Sequence, residues 1–122
     1  MPAVLIVDDD HAFRAALRTL FEHGSGFDAC VEAGNAAEAL YRTKQVSPKL
    51  ALLDFSLPEM NGLQLARELQ AIAPGLAIFL LTADSGADIE REALARGITA
   101  VFSKLDDLTT LVSNARVVCG MQ

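Results

Sequence analysis

Positive charge is in short supply in this chain. Ten Lys and Arg residues stand against 16 Asp and Glu, giving a net charge of −6 and a pI near 4.7. A phosphate backbone is gripped by clustered Lys and Arg, so direct nucleic-acid binding is not expected. Long apolar runs are also missing: none approaches the roughly 20 residues that cross a bilayer. The start MPAVLIVDDD has neither the basic region nor the long apolar segment of a signal peptide. The expected location is the cytoplasm, with no membrane partner. Cysteine is sparse: Cys30 and Cys119 have no CxxC spacing and no adjacent His, which argues against zinc, and in a reducing compartment both are expected to be free thiols. There is no internal repeat, low-complexity tract or linker. A length of 122 residues leaves no space for a second domain of ordinary size, so residues 1–122 are expected to be one domain with any effector domain outside this chain.

What is present is a hydrophobic majority, 52% of residues, arranged as short apolar runs alternating with amphipathic stretches. That alternation predicts an α/β fold, a parallel sheet wrapped by helices on both faces. Five strands are expected: Ala3 to Val7, Phe27 to Glu32, Leu50 to Leu53, Ala77 to Leu81 and Thr99 to Phe102. The second has the least apolar content, as an edge strand would. Between them, Phe13, Ala16, Leu17, Leu20 and Phe21 recur at helical spacing, with Gly24 and Gly26 ending that helix. A second helix runs from about Asn35, a candidate cap, to Lys44, where Pro48 keeps it from continuing. A third carries Leu65, Leu69 and Ile72 and stops at Pro74 and Gly75. A fourth covers Asp88 to Arg96 with Gly97 as its cap, and a fifth carries Leu108, Leu111, Val112 and Ala115.

The polar residues are not scattered. Asp8 and Asp9 follow the first strand, Asp54 the third and Thr82 the fourth, while Lys104 lies just past the fifth. In open parallel α/β sheets the strand C-termini share one edge, and ligands bind where the strand order reverses. With the common (βα)5 order 2-1-3-4-5, Asp8, Asp9 and Asp54 meet there. Two carboxylates about 4 Å apart repel by about 4 kcal/mol at an effective dielectric near 20, which makes the cluster unfavourable unless a cation occupies it. An all-oxygen acidic site fits a hard cation such as Mg²⁺, with Mn²⁺ able to substitute. A metal, an ammonium and a hydroxyl together supply what phosphoryl transfer needs, and a carboxylate can be its nucleophile.

These residues carry a resemblance that extends over nearly the whole chain. LIVDDD, LLDFSLPEMNG, LLTA and FSK, in this order, resemble the four motifs of response-regulator receiver domains. The resemblance implies a flavodoxin-like doubly wound fold and a signalling switch rather than an enzyme acting on other substrates. It makes Asp54 the phosphoacceptor, with Asp9 and Asp54 as direct Mg²⁺ ligands, Asp8 acting through water, and the Ser56 backbone carbonyl completing the metal site. Thr82 becomes the hydroxyl that meets the phosphoryl group, Lys104 its salt-bridge partner and Ala83 the small residue that leaves it room. Ser56 and Asp84 match positions that tune phosphorylation and hydrolysis rates. The implied partners are a sensor histidine kinase or phosphotransfer protein, a downstream effector or fused output domain, and a second copy in a phosphorylation-dependent homodimer.

The chain departs from the pattern twice. Receivers usually place Tyr or Phe three residues before the lysine, where this sequence has Val101, with Phe102 expected on the opposite face of the strand. Leu105 follows Lys104 where many members have Pro. Asp10 reads as a helix cap rather than a ligand, His11 as a solvent-facing residue, and Pro58 and Gly62 as shapers of the loop after Asp54. Two other function classes remain open on the residues alone. One is a receiver-like interaction module whose output does not depend on phosphorylation, which Val101 favours. The other is an aspartate-nucleophile hydrolase built on VDDD, which would leave Asp54 without a role.

Overall fold

A computed structural model describes residues 2–83 and 86–121. Asp84, one of the two rate-tuning positions, lies outside the described residues. The elements are β1 (Ala3–Val7), α1 (His11–Glu22), β2 (Ala29–Ala33), α2 (Ala36–Val46), β3 (Leu50–Asp54), α3 (Gly62–Ile72), β4 (Ala77–Thr82), α4 (Ala87–Ala95), β5 (Ala100–Ser103) and α5 (Thr109–Val118). The strands form one parallel sheet in the order β2-β1-β3-β4-β5, as expected from the sequence.

The central strands read as unbroken apolar runs because both of their faces are covered. Successive side chains on a strand point to opposite faces, and the core divides accordingly. Leu5, Val7, Ala51, Leu53, Ile78 and Leu80 pack with Ala39, Leu65, Leu69 and Ala93 from α2, α3 and α4. Val4, Ile6, Leu50, Leu52, Phe79 and Leu81 pack with Leu17, Phe21, Leu111 and Ala115 from α1 and α5. Val101 lies against the first layer, and Phe102 against the second, where its ring sits 5.0 Å from that of Phe79. The two side chains thus occupy opposite faces, as the alternation requires.

Helix ends follow local chemistry. Asp10 caps α1 by accepting from the N–H groups of Ala12 and Phe13 at 3.0 and 3.3 Å. Asn35 caps α2 through Glu38 N–H at 2.8 Å. Asn61 and Gln64 form a reciprocal capping box on α3.

The expected second strand, Phe27 to Glu32, is displaced: β2 begins at Ala29 and includes Ala33. Phe27 leaves the ladder and meets the Phe21 ring edge-on at 5.6 Å, and Asp28 N–H bonds the Pro2 carbonyl just ahead of the register Ala3 to Ala29. Three other strands extend one residue further toward their C-termini than their apolar runs suggest, taking in Asp54, Thr82 and Ser103. Asp54 pairs with Leu81, and Thr82 with Ser103, so these polar residues are the last rungs of the sheet.

Candidate functional site

The site is built on those last rungs. Asp8 N–H bonds the Ala33 carbonyl at 3.1 Å and Phe55 N–H the Leu81 carbonyl at 2.8 Å, while Lys104 N–H reaches the Thr82 carbonyl at 2.9 Å. The backbone thereby carries Asp8, Asp54, Thr82 and Lys104 to one edge without depending on loop conformation. Asp8, Asp54 and Thr82 are all buried, and Asp9 is exposed beside them. Carboxylate oxygens of Asp8, Asp9 and Asp54 lie within 4.8 Å of one another.

Lys104 closes this cluster. Its ammonium stands 2.7 Å from Asp8 Oδ2 and 3.1 Å from Asp54 Oδ1, while the Asp54 oxygen also accepts from Ser56 N–H at 3.1 Å. Burial holds the Asp54 carboxyl above its usual range, with the Asp8 charge adding to it; the Ser56 N–H and Lys104 only partly offset them. Burial also works against the charged Lys104 ammonium. The hydrogen bonds and charges of Asp8 and Asp54 outweigh that loss and leave Lys104 above its ordinary value. Two buried acids sharing one ammonium show that the pocket demands positive charge.

The donor set suits a hard divalent cation. It consists of three carboxylates at mutual distances a single ion can bridge, on the open side of which Asp9 and Ser56 are exposed. Asp8, Asp9, Asp54 and the Ser56 carbonyl are the groups that would hold it.

The fold brings the expected residues together: Asp8, Asp54, Ser56 and Lys104 by hydrogen bond, Asp9 with its carboxylate within 4.8 Å of those of Asp8 and Asp54, and Thr82 by position on the same edge. Asp10 is absorbed in capping, and His11 is exposed, with Nδ1 3.2 Å from an Arg14 nitrogen. Cys30 and Cys119 are free thiols, and burial raises both.

Two contributors, both on α1, were not anticipated. The Phe13 ring lies under Lys104, its centroid 4.6 Å from Nζ. Arg14 donates from Nη1 to the Asp8 carbonyl at 2.6 Å and from Nε to Glu32 Oε1 at 3.0 Å. The one sequence signal was Glu32, a charge inside an apolar strand, where an unpaired carboxylate would be costly.

Gly62, expected only to shape the loop, has a sharper task. A Cβ there would stand 2.6 Å from Leu80 Cδ1 and 2.7 Å from the Asp54 carbonyl oxygen. The first turn of α3 therefore seats directly on the strand that carries Asp54.

Comparison with known proteins agrees with this architecture. Residues 4–116 match the response regulator receiver domain family. A Pseudomonas aeruginosa protein described provisionally as a transcriptional regulator is 37% identical over 118 residues, which is 97% of this chain and 56% of that protein. The Mycobacterium tuberculosis DNA-binding transcriptional activator DevR/DosR is 33% identical over 104 residues, 85% of this chain and 48% of its own. The chain thus spans about half the length of these relatives. Among solved structures, a CheY-like response regulator receiver domain protein from Methanospirillum hungatei superposes with a TM-score of 0.89 at 25% identity, covering 98% of this chain and 94% of that one.

Proposed function

The chain belongs to the response regulator receiver domain family, whose members are signalling switches in two-component systems, and from that premise we propose that Asp54 is its phosphoacceptor. The reading takes residues 1–122 as one receiver domain serving an output partner or a fused output domain. The observation that carries it is Lys104 bridging Asp8 and Asp54, with Asp9 alongside.

In the proposed reaction a carboxylate oxygen of Asp54 attacks the phosphorus of a phosphohistidine on a sensor kinase or phosphotransfer protein. The new O–P bond forms as the N–P bond breaks, and the imidazole leaves with the bonding pair and takes a proton. A Mg²⁺ ion, or Mn²⁺ in its place, would be held by Asp8, Asp9, Asp54 and the Ser56 carbonyl and would neutralise charge on the transferred oxygens. Lys104 supplies a second positive charge. The Thr82 hydroxyl is assigned to the phosphoryl group, and Ala83 leaves room for it. Phosphorylation then shifts a two-state equilibrium at the surface of α4, β5 and α5, which contacts a partner or pairs two copies. The negative net charge weighs against direct nucleic-acid contact by this domain, and the family assignment weighs against the hydrolase alternative.

Incubation with a small phosphodonor and Mg²⁺ should add the mass of one phosphoryl group. Asp54→Asn should remove that addition, and an unmodified wild-type mass would overturn the reading.

A second reading has one observation in its favour. Val101, at the sequence position where receivers usually carry an aromatic ring, lines a pocket of about 130 Å³ with Gly86, Glu90, Phe102, Ser103 and Asp106. If output bypasses phosphorylation, a phosphate mimic will shift amide resonances beside Asp54 but not on α4 and β5. The main reading expects shifts on both, and larger ones in Val101→Tyr.

A further inference from the structure

We propose that Arg14, clamped by Glu32, is the positioning residue that sets the Asp8–Asp9 peptide for cation binding. The inference rests on the receiver reading and adds to it a device outside the acidic pocket.

Beyond the strand bond from its N–H to the Ala33 carbonyl, Asp8 is held at three further points. Its Oδ1 accepts from Asp10 N–H at 2.8 Å, its Oδ2 from Lys104 at 2.7 Å, and its backbone carbonyl from Arg14 Nη1 at 2.6 Å. The first two bonds use the carboxylate oxygens, which a divalent cation or its waters would also need. The third uses the main chain on the side facing α1. Of these three it alone leaves the carboxylate oxygens free and can persist unchanged when a cation arrives, so it falls to Arg14 to keep the Asp8–Asp9 peptide from turning.

Arg14 can do this because it is itself fixed. Its Nε bonds Glu32 Oε1 at 3.0 Å, while Glu32 Oε2 takes Arg18 Nη1 at 3.0 Å and Arg18 Nε bonds Glu22 at 3.0 Å. Glu32 belongs to β2, whose neighbour Ala33 accepts from Asp8 N–H at 3.1 Å. The guanidinium fork therefore ties the carbonyl of Asp8 to the same edge strand that already holds its amide. A planar fork holds both bonds in one fixed geometry, whereas an ammonium is a point charge on a flexible stem. Gly34 leaves space for it: a Cβ there would lie 3.3 Å from Arg14 Nη1.

The experiment titrates Mg²⁺ into the purified, unphosphorylated chain, following heat and the amide resonances of Asp9 and Asp10, with thermal unfolding recorded in parallel. Arg14→Ala should weaken Mg²⁺ affinity about tenfold, the usual scale for groups that orient metal ligands from outside. Arg14→Lys should recover only part of this. Gly34→Ala, which adds one methyl against the fork, should weaken affinity about twofold to threefold on the same scale while the protein stays folded. The rate of phosphoryl acceptance at saturating Mg²⁺ should stay near the wild-type value in Gly34→Ala, separating positioning from chemistry.

Wild-type Mg²⁺ affinity in folded Arg14→Ala, or in Gly34→Ala should Arg14→Ala fail to fold, overturns the proposal and leaves the receiver reading intact. A wild-type chain that binds no Mg²⁺ overturns both.

Discussion

The two edges of the sheet are closed by different means. At the N-terminal ends of the strands the backbone satisfies itself: Lys49 N–H bonds the Ala3 carbonyl at 2.9 Å, and Ala77 N–H the Lys49 carbonyl at 3.1 Å. At the C-terminal ends the backbone bonds of Asp8, Phe55 and Lys104 are joined by buried polar side chains, Asp8, Asp54, Thr82 and Ser103, which are four of the six polar residues buried among those described. The other two are spent locally, Ser25 on the Phe21 carbonyl and Thr43 on the Ala39 carbonyl. One edge is built for stability alone. The other accepts buried charge that stability does not require, and the difference identifies the working end of the molecule.

The largest test of that contrast lies between the edges. Leu52, fully buried in the layer under α1 and α5, should cost about 2–5 kcal/mol on truncation to Ala, measured by denaturant unfolding. Mg²⁺ affinity of the molecules that remain folded should be unchanged. A large affinity loss would show that core and edge are not separable.

Gly62→Ala should reach both. The added Cβ must displace Leu80 or the Asp54 carbonyl, at a cost of about 1–3 kcal/mol. It should also weaken Mg²⁺ binding, and unfolding scans with and without the ion separate the two effects.

Saturating Mg²⁺ should raise wild-type stability by about 1–3 kcal/mol, as expected for a ligand that binds only the folded state. The increment should vanish in Asp9→Asn. An equal increment in that variant would locate the ion elsewhere.

The smallest effect concerns Asp54 without metal. Its pKa is raised in the fold, chiefly by burial and then by the Asp8 charge. The fold therefore favours the protonated carboxyl. Its stabilisation is fully present below the ordinary aspartate pKa and is lost as pH rises through the higher folded value. Asp54→Asn carries no such titration, so its stability relative to wild type should improve across that interval and then level off. Parallel curves for the two proteins would contradict the assigned electrostatics.

The fold was legible because strand periodicity and covered faces leave a strong pattern, and the observed strand order is the common one for five βα units. The strand ends were harder to read. Asp54, Thr82 and Ser103 break the apolar runs, yet they belong to the ladder, because a polar residue can end a strand when its neighbours on the edge satisfy it. Phe27 misled in the opposite direction, since its apolar ring serves the α1 layer instead of β2.

Asp8, Asp9, Asp54 and Lys104 could be placed together because topology alone brings them to one edge. Phe13 and Arg14 could not. Their roles depend on the phase of α1 and the reach of individual rotamers, and Phe13 read from its spacing as an ordinary core residue. Gly62 showed its loop role in the sequence, but its contact with Leu80 and the Asp54 carbonyl exists only in three dimensions.

The Phe13 ring beneath Lys104 has a mechanical consequence. A ring face attracts an ammonium without a directional bond, so it limits how far the head group can sink but resists little of its sideways travel. Lys104 rests on it as on a bearing, within reach of both Asp8 and Asp54. The pocket can thus shift the load of this ammonium between the two acids without removing its charge from the site.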